Sequence, residues 1–79
     1  MNKRFIDVIC LNDKSGKLKP LTLIWDENNK YEITKILEIR PLSLLGSNQT
    51  GLKYTCLFST NKKHDLYLDK GKWYVDEKQ

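Results

Sequence analysis

His64 is the only histidine in the chain, so any acid–base or metal chemistry would have to start there. Its neighbour Asp65 follows it in a segment that reads as a strand. Successive strand side chains point to opposite faces, so the two do not form a dyad. A metal site drawn from His64, Cys10 and Cys56 lacks further ligands and the close spacing such sites use. No serine, threonine or cysteine stands in a nucleophile motif. Gly46 and Gly51 are isolated, with no Gly-Lys-Ser/Thr after them, so no phosphate-cradling loop is encoded. The carboxylates Asp7, Glu32, Glu38, Asp65, Asp69 and Asp76 mostly alternate with apolar residues, the pattern of a solvated strand face rather than of a paired acid and base. The sequence reads as non-enzymatic, with no metal and no small-molecule cofactor. An active site shared across an oligomer interface is the arrangement that would escape this reading.

Binding chemistry is better represented. Lys53 shares the outer parity of one strand, and Tyr67, Lys72 and Tyr74 share the outer parity of a hairpin. If these strands form a meander, the four meet on one exposed face. Small barrels bind nucleic acid with such a face, stacking bases on rings and setting lysines against phosphates. Arg40, Lys62 and Lys63 would add to the field. The plainer reading makes Tyr67 and Tyr74 a cross-strand pair that stabilises the hairpin and leaves the lysines to keep the surface soluble. A second surface is apolar: Phe5, Ile9 and Leu11 on the outer parity of the first strand, with the Leu42 to Leu45 segment and its Leu44 and Leu45. It suits a protein partner or a homo-oligomer. Trp25 and Trp73 fall on inner parities and read as core. A tryptophan at an open barrel rim would instead mark a ligand groove, as in SH3-like domains.

The chain has 79 residues with 14 basic and 10 acidic side chains, a net charge of +4. That length implies one domain with a marginal core. The charges are largely interspersed, as on an ordinary soluble surface. Lys3-Arg4 precedes an apolar run that Asp7 interrupts, so no secretory signal is expected. No stretch approaches a membrane span. Cys10 and Cys56 read as reduced small hydrophobes in a cytoplasmic protein; one disulfide between two strands is the alternative.

The elements that must hold these residues are strands. Arg4 to Leu11 carries Ile6, Val8 and Cys10 on one face and Phe5, Ile9 and Leu11 on the other. Such a strand is either covered on both sides or lends its outer face to a partner. Leu21 to Trp25 follows Pro20, then Asp26 to Lys30 turns, with Asn28 or Asn29 suited to positive φ. Centring on Asn28 sets Trp25 opposite Tyr31 and Leu23 opposite Ile33. Tyr31 to Arg40 reads as a strand with a bulge or bend at Lys35-Ile36; helical spacing of Ile33, Ile36 and Leu37 is the competing pattern. The stretch after Pro41, as far as Gly51, reads as irregular, with room for a short helical turn in its first half. Leu52 to Ser59 alternates cleanly, and a turn at Asn61 to Lys63 pairs Phe58 with Leu66 and Cys56 with Leu68. The last hairpin has the firmest register. A two-residue turn at Lys70-Gly71 sets Asp69 against Lys72, Leu68 against Trp73, Tyr67 against Tyr74 and Leu66 against Val75, keeping both faces consistent. The expected fold is an all-β, five- to six-stranded antiparallel barrel, SH3-like or partly open.

Ile24-Trp25, Tyr31-Glu32-Ile33, Ile39-Arg40, Tyr54-Thr55-Cys56, Tyr67-Leu68 and Trp73-Tyr74-Val75, with the loop ending at Gly51, resemble a family of short proteins from Gram-positive bacteria. That resemblance implies no particular activity. The Trp, Tyr and Val pattern with its terminal Trp is also similar to small domains encoded near translesion DNA polymerases, which implies a nucleic-acid or repair-complex role.

Overall fold

Strand-forming residues and turn residues alternate closely enough that the chain has little choice but to pair neighbour with neighbour. The computed structural model describes residues 2–45 and 50–77, at 44 and 45 for the backbone alone. It contains β1 (Lys3–Asn12), β2 (Leu18–Asp26), β3 (Asn29–Pro41), β4 (Leu52–Phe58), β5 (Lys63–Asp69) and β6 (Lys72–Asp76), with a 3-10 turn at Leu42–Leu45. Each strand is antiparallel to the next and β6 returns to β1, so the sheet is a closed barrel in the order β1-β2-β3-β4-β5-β6. The expected small all-β barrel is therefore present, closed rather than partly open. Closure removes the unpaired edges that a sheet this small would otherwise expose.

The inner parity fills the barrel. Leu23, Tyr54, Cys56, Phe58, Leu66 and Trp73 form its buried cluster, with Ile6, Val8, Cys10, Ile33 and Ile36 packed against them. Both cysteines are free. The long β3 wraps round this core by two register shifts, between Ile33 and Lys35 and between Ile36 and Glu38. The bend expected at Lys35-Ile36 is thus two bulges, which leave Thr34 and Leu37 without a partner position and let one strand turn the corner.

The last hairpin has the expected register, with Tyr67 opposite Tyr74, Leu68 opposite Trp73 and Asp69 opposite Lys72. Lys70 and Gly71 both have positive φ, 52° and 78°. Two left-handed residues in a two-residue loop match the right-handed twist of the flanking strands.

Two other registers differ from expectation. In β2–β3 Leu23 lies opposite Tyr31, not Ile33, and Asp26 opposite Asn29, with a shift between Ile24 and Asp26. Asp26 sets this turn by accepting hydrogen bonds from the Asn28 backbone and the Asn29 side chain, each at 2.9 Å. That local anchoring shortens the loop to Glu27-Asn28 and bulges Trp25 out of the ladder, and neither Asn28 nor Asn29 takes positive φ. In β4–β5 Tyr54 lies opposite Leu66 and Leu52 opposite Leu68, not Phe58 opposite Leu66 and Cys56 opposite Leu68. Here the Phe58 backbone N–H donates to Lys62 and the Asn61 N–H to Phe58, both at 2.9 Å, with Asn61 at φ 64°. A type I turn over Ser59-Thr60 followed by the left-handed Asn61 closes the hairpin two residues earlier than the turn expected at Asn61 to Lys63. β2 also starts earlier than Leu21. Pro20 sits inside it opposite Cys10, where a register shift between Ile9 and Cys10 tolerates its missing N–H.

Candidate functional site

Outward residues of adjacent strands fall into rows across the barrel wall. One row runs Arg40, Lys53, Tyr67, Tyr74 and Phe5, each opposite the next on the neighbouring strand. This is the meander expected to carry a basic aromatic face, and the register does place Lys53 beside Tyr67 and Tyr74. The exposure is different. Tyr67 is 5% and Tyr74 2% exposed. Their rings stack at 5.1 Å and 8° and pack with Leu42 of the 3-10 turn in a second buried cluster outside the barrel. Phe5 closes on Tyr74 edge-on at 5.7 Å, and Lys3 Nζ lies 4.7 Å from the same ring centre. Burial, with Asp69 nearby as the smaller cause, pushes the Tyr74 hydroxyl above its ordinary pKa. The expectation that these two rings face solvent is therefore corrected. Pro41 redirects β3 into a turn whose Leu42 lands on them, and Leu42 N–H donates to Gly51 to hold that turn in place.

Of the cations expected to share the face, Arg40 and Lys53 stand opposite each other in this row and Lys72 has the parity of Tyr74, whereas Lys62 and Lys63 lie apart. Arg40 is exposed and paired with Glu38 at 2.8 Å. Lys72 lies opposite Asp69 at the hairpin tip. Lys62 and Lys63 lie at the start of β5, and Lys63 is opposite Leu57, at the far end of β4 from Lys53.

The second expected surface is where sequence parity put it. Phe5, Ile9 and Leu11 are 60%, 49% and 50% exposed, and Leu21 on β2 adds 44%. Ile9 lies opposite Thr22 and Asp7 opposite Ile24, so the strip extends sideways onto β2. No described residue outside β1 and β2 forms a buried cluster over Ile9 and Leu11, in contrast with the cover over Tyr67 and Tyr74. Beside Phe5, where the β1–β6 register ends at Ile6 and Trp73, a recess of about 390 Å³ opens. The Leu42 part of the expected patch is instead buried, and the side chains of Leu44 and Leu45 lie outside the described residues.

A third feature is the barrel mouth, where the β2–β3 and β4–β5 turns and the end of β6 meet. A cavity of about 410 Å³ opens there, lined among others by Trp25, Tyr31, Phe58, His64 and Leu66. Trp73 is core as expected, whereas Trp25 is half-buried and lines this mouth, the rim position weighed as its alternative. The Arg4 guanidinium stands 3.6 Å from the Trp25 ring centre and donates to its carbonyl at 3.4 Å, while Glu77 approaches Arg4 at 3.9 Å. Sequence reasoning did not assign Arg4. Its signal was available: it shares the parity of Ile6, Val8 and Cys10, and a lone cation on an inner face belongs at a barrel rim. His64 is exposed and meets Phe58 edge-on at 5.7 Å. Asp65 accepts from Thr55 Oγ1 at 2.9 Å instead of facing His64, in keeping with their opposite directions.

Among the described residues no group of three or more His, Cys, Asp or Glu is placed to hold a metal, and no helix is long and apolar enough to cross a membrane. Comparison with protein-family models, curated proteins and solved structures found no match for the chain.

Proposed function

We propose that this protein is a non-enzymatic interaction module that associates with a second copy of itself through the outer face of β1 and β2. The observation that carries the reading is the exposure of Phe5, Ile9, Leu11 and Leu21 on one face of a barrel wall. Among the described residues two outward apolar faces stand out, apart from the exposed Leu37 and Ile39 of β3. One is covered by its own 3-10 turn, and the other has no such cover from the described residues. Water-exposed apolar strips of this kind mark contact surfaces.

A strip along a single strand is its own complement under two-fold rotation. An axis near Val8 sets Phe5 of one copy against Leu11 of the other. Leu11 then faces the recess beside Phe5. The same rotation brings Lys3 level with Asp13 of the second copy, and sets the exposed Asp7 opposite Ile9, a carboxylate at the centre of the contact that weakens it. Two strands about 33 Å long at about 4.8 Å spacing offer roughly 500 Å² with their margins, below the usual 800 Å² per partner. The association is accordingly weak, with Kd in the range of tens to hundreds of micromolar. A cytoplasmic setting goes with this reading, since Cys10 and Cys56 are both free thiols.

Nucleic-acid binding is the competing reading. With Tyr67 and Tyr74 under Leu42, it would rest on Arg40, Lys53, Lys62, Lys63 and Lys72 alone, a salt-dependent contact without stacking. Sedimentation between about 10 µM and about 1 mM tests the proposal. The weight-average mass should rise above 9.3 kDa with concentration, and Ile9→Asp should hold it at the monomer value while keeping the wild-type circular dichroism. A wild-type chain that stays monomeric throughout overturns it.

A further inference from the structure

The last hairpin closes the barrel wall only over part of its length. The β5–β6 register runs from the tip, Asp69 with Lys72, as far as Tyr67 with Tyr74. Leu66 and Val75, next in line, are not in that ladder, and both line the cavity at the barrel mouth. β5 and β6 therefore part there, and the space of about 410 Å³ opens between them over an apolar floor of Leu23, Leu66 and Val75. Deeper in, Cys56 is fully buried and Tyr54 and Trp73 pack ring against ring at 5.0 Å, so the cavity is shallow. Its volume is that of a small-molecule site.

The rim sets the sign of what fits. Asp65 and Asp76, on the parting ends of β5 and β6, line the cavity with Glu77. Thr55 and the Asn2 N–H donate to the first two, but neutral donors leave the carboxylate charge in place. Lys62 is the one lysine in the lining, so the rim is net negative, and counting Arg4 beside Glu77 leaves it so. Lys3, Lys30 and Lys63 belong to the same strands but take the outward parity. The chain as a whole is positive, yet salt screens charges beyond about 10 Å, and the local rim prevails.

The carboxylates do not converge, since no three such groups among the described residues are placed to hold a metal. Negative charge spread round an apolar floor suits a cation carried on hydrocarbon. Arg4 already shows the mode within the chain: its guanidinium lies 3.6 Å from the Trp25 ring centre, with Glu77 at 3.9 Å. Tyr31, which is 39% exposed, offers the cavity a second ring for the same kind of contact. We infer that the barrel mouth binds a small amphiphilic organic cation, its charged group at the rim with Tyr31, Asp65, Asp76 and Glu77 and its hydrocarbon body on Leu23, Leu66 and Val75.

Phenethylamine, phenethyl alcohol and hydrocinnamate share one ring and differ in charge, and amide NMR titration with each reads sign and place together. The amine, a cation at neutral pH, should bind with Kd of about 1 mM and shift Trp25, Leu66, Val75 and Asp76. The alcohol and the carboxylate should each bind at least about fivefold more weakly. Asp65→Asn combined with Asp76→Asn should weaken the amine at least about fivefold and leave the alcohol within about twofold. Tyr31→Ser should weaken the amine about threefold. Lys62→Gln, at an exposed position, should tighten it about twofold by removing the one opposing charge in the lining. Ile9→Asp, on the β1–β2 face, should leave it within about twofold of wild type. The inference is overturned if the alcohol or the carboxylate binds as tightly as the amine, if the shifts centre on β1 and β2, or if no saturable shift develops by about 20 mM amine. Should the double variant lose its fold by circular dichroism, Lys62→Gln decides: an amine affinity unchanged or weakened overturns the inference.

Discussion

Gly51 is the residue on which most of the outer architecture turns. Its φ is 103°, and a Cβ there would stand 2.5 Å from the Leu68 carbonyl oxygen on β5. Its own carbonyl receives the Leu42 N–H at 3.0 Å, which holds the turn that covers Tyr67 and Tyr74. Gly51→Ala must therefore strain the backbone and push β5 away from the loop at once. The expected loss is about 2–4 kcal/mol in urea unfolding. Gly71 has a similar positive φ of 78° but nothing within 4 Å of an added Cβ. Gly71→Ala should cost only about 1 kcal/mol. Equal losses would mean that the left-handed backbone, not the close approach to Leu68, is what Gly51 supplies. Two turn aspartates work at the same scale. Asp13 accepts from Ser15 N, Ser15 Oγ and Lys17 N, and the Ser15 hydroxyl is the first cause of its lowered pKa. Asp26 is lowered chiefly by the Asn29 side chain. Each helps its turn only while ionised, and that help fades as pH falls through the lowered value.

At the scale of the hairpin, Lys70 is the element's imperfect residue. It holds φ 52° in a turn whose partner position is already Gly71. Asparagine takes that conformation more easily than lysine, and Asn-Gly is the preferred pair for this turn. Lys70→Asn should raise stability by about 0.5–1 kcal/mol, seen as a higher urea midpoint at unchanged slope. No change would show that another part of the hairpin sets its stability. This hairpin was legible in the sequence because its register follows from one short turn and two alternating strands. The other two turns were not, for local reasons. Asp26 tightens its loop through hydrogen bonds that residue types alone do not announce, and Asn61, by entering the left-handed region, closes its loop two residues earlier than expected. Parity survived both slips, which is why the core was foreseeable while Trp25 and Tyr31 were misplaced. The burial of Tyr67 and Tyr74 was illegible for another reason. The cover comes from Leu42, about 25 residues earlier in the chain, and no alternation pattern records a remote lid. For the same reason the apolar outer parity of β1 could be noticed in the sequence, but whether the chain itself covered it could not.

The whole molecule keeps protonated acids in both of its apolar clusters, and that sets how it responds to alkali. Cys56 is fully buried in the barrel core, and burial, with Asp65 as the lesser cause, pushes its thiol from 9.0 up to about 12. Tyr54 in the same core is raised chiefly by burial while its hydroxyl donates to the Leu18 carbonyl at 2.9 Å. Tyr74, in the outer cluster, is raised for the same reason. In each case the folded state holds the proton more tightly than the unfolded chain. The unfolded state therefore binds fewer protons between its own pKa and the folded one, and stability must fall as pH rises through that window. Below pH 9 the contribution is fully present. From pH 9 to about 10 only the Cys56 proton is at issue, and stability should drop by about 1.4 kcal/mol per pH unit at the steepest. Above about pH 10 the two tyrosines join and the slope should steepen. Urea unfolding at half-unit steps from about pH 8 to about pH 11, under reducing conditions, reads this directly. Cys56→Ala removes the first titration, so its curve should stay flat to about pH 10 and then fall with the tyrosines. If wild type is as flat as Cys56→Ala between about pH 9 and about pH 10, the thiol is not held in the dry core that the closed barrel requires.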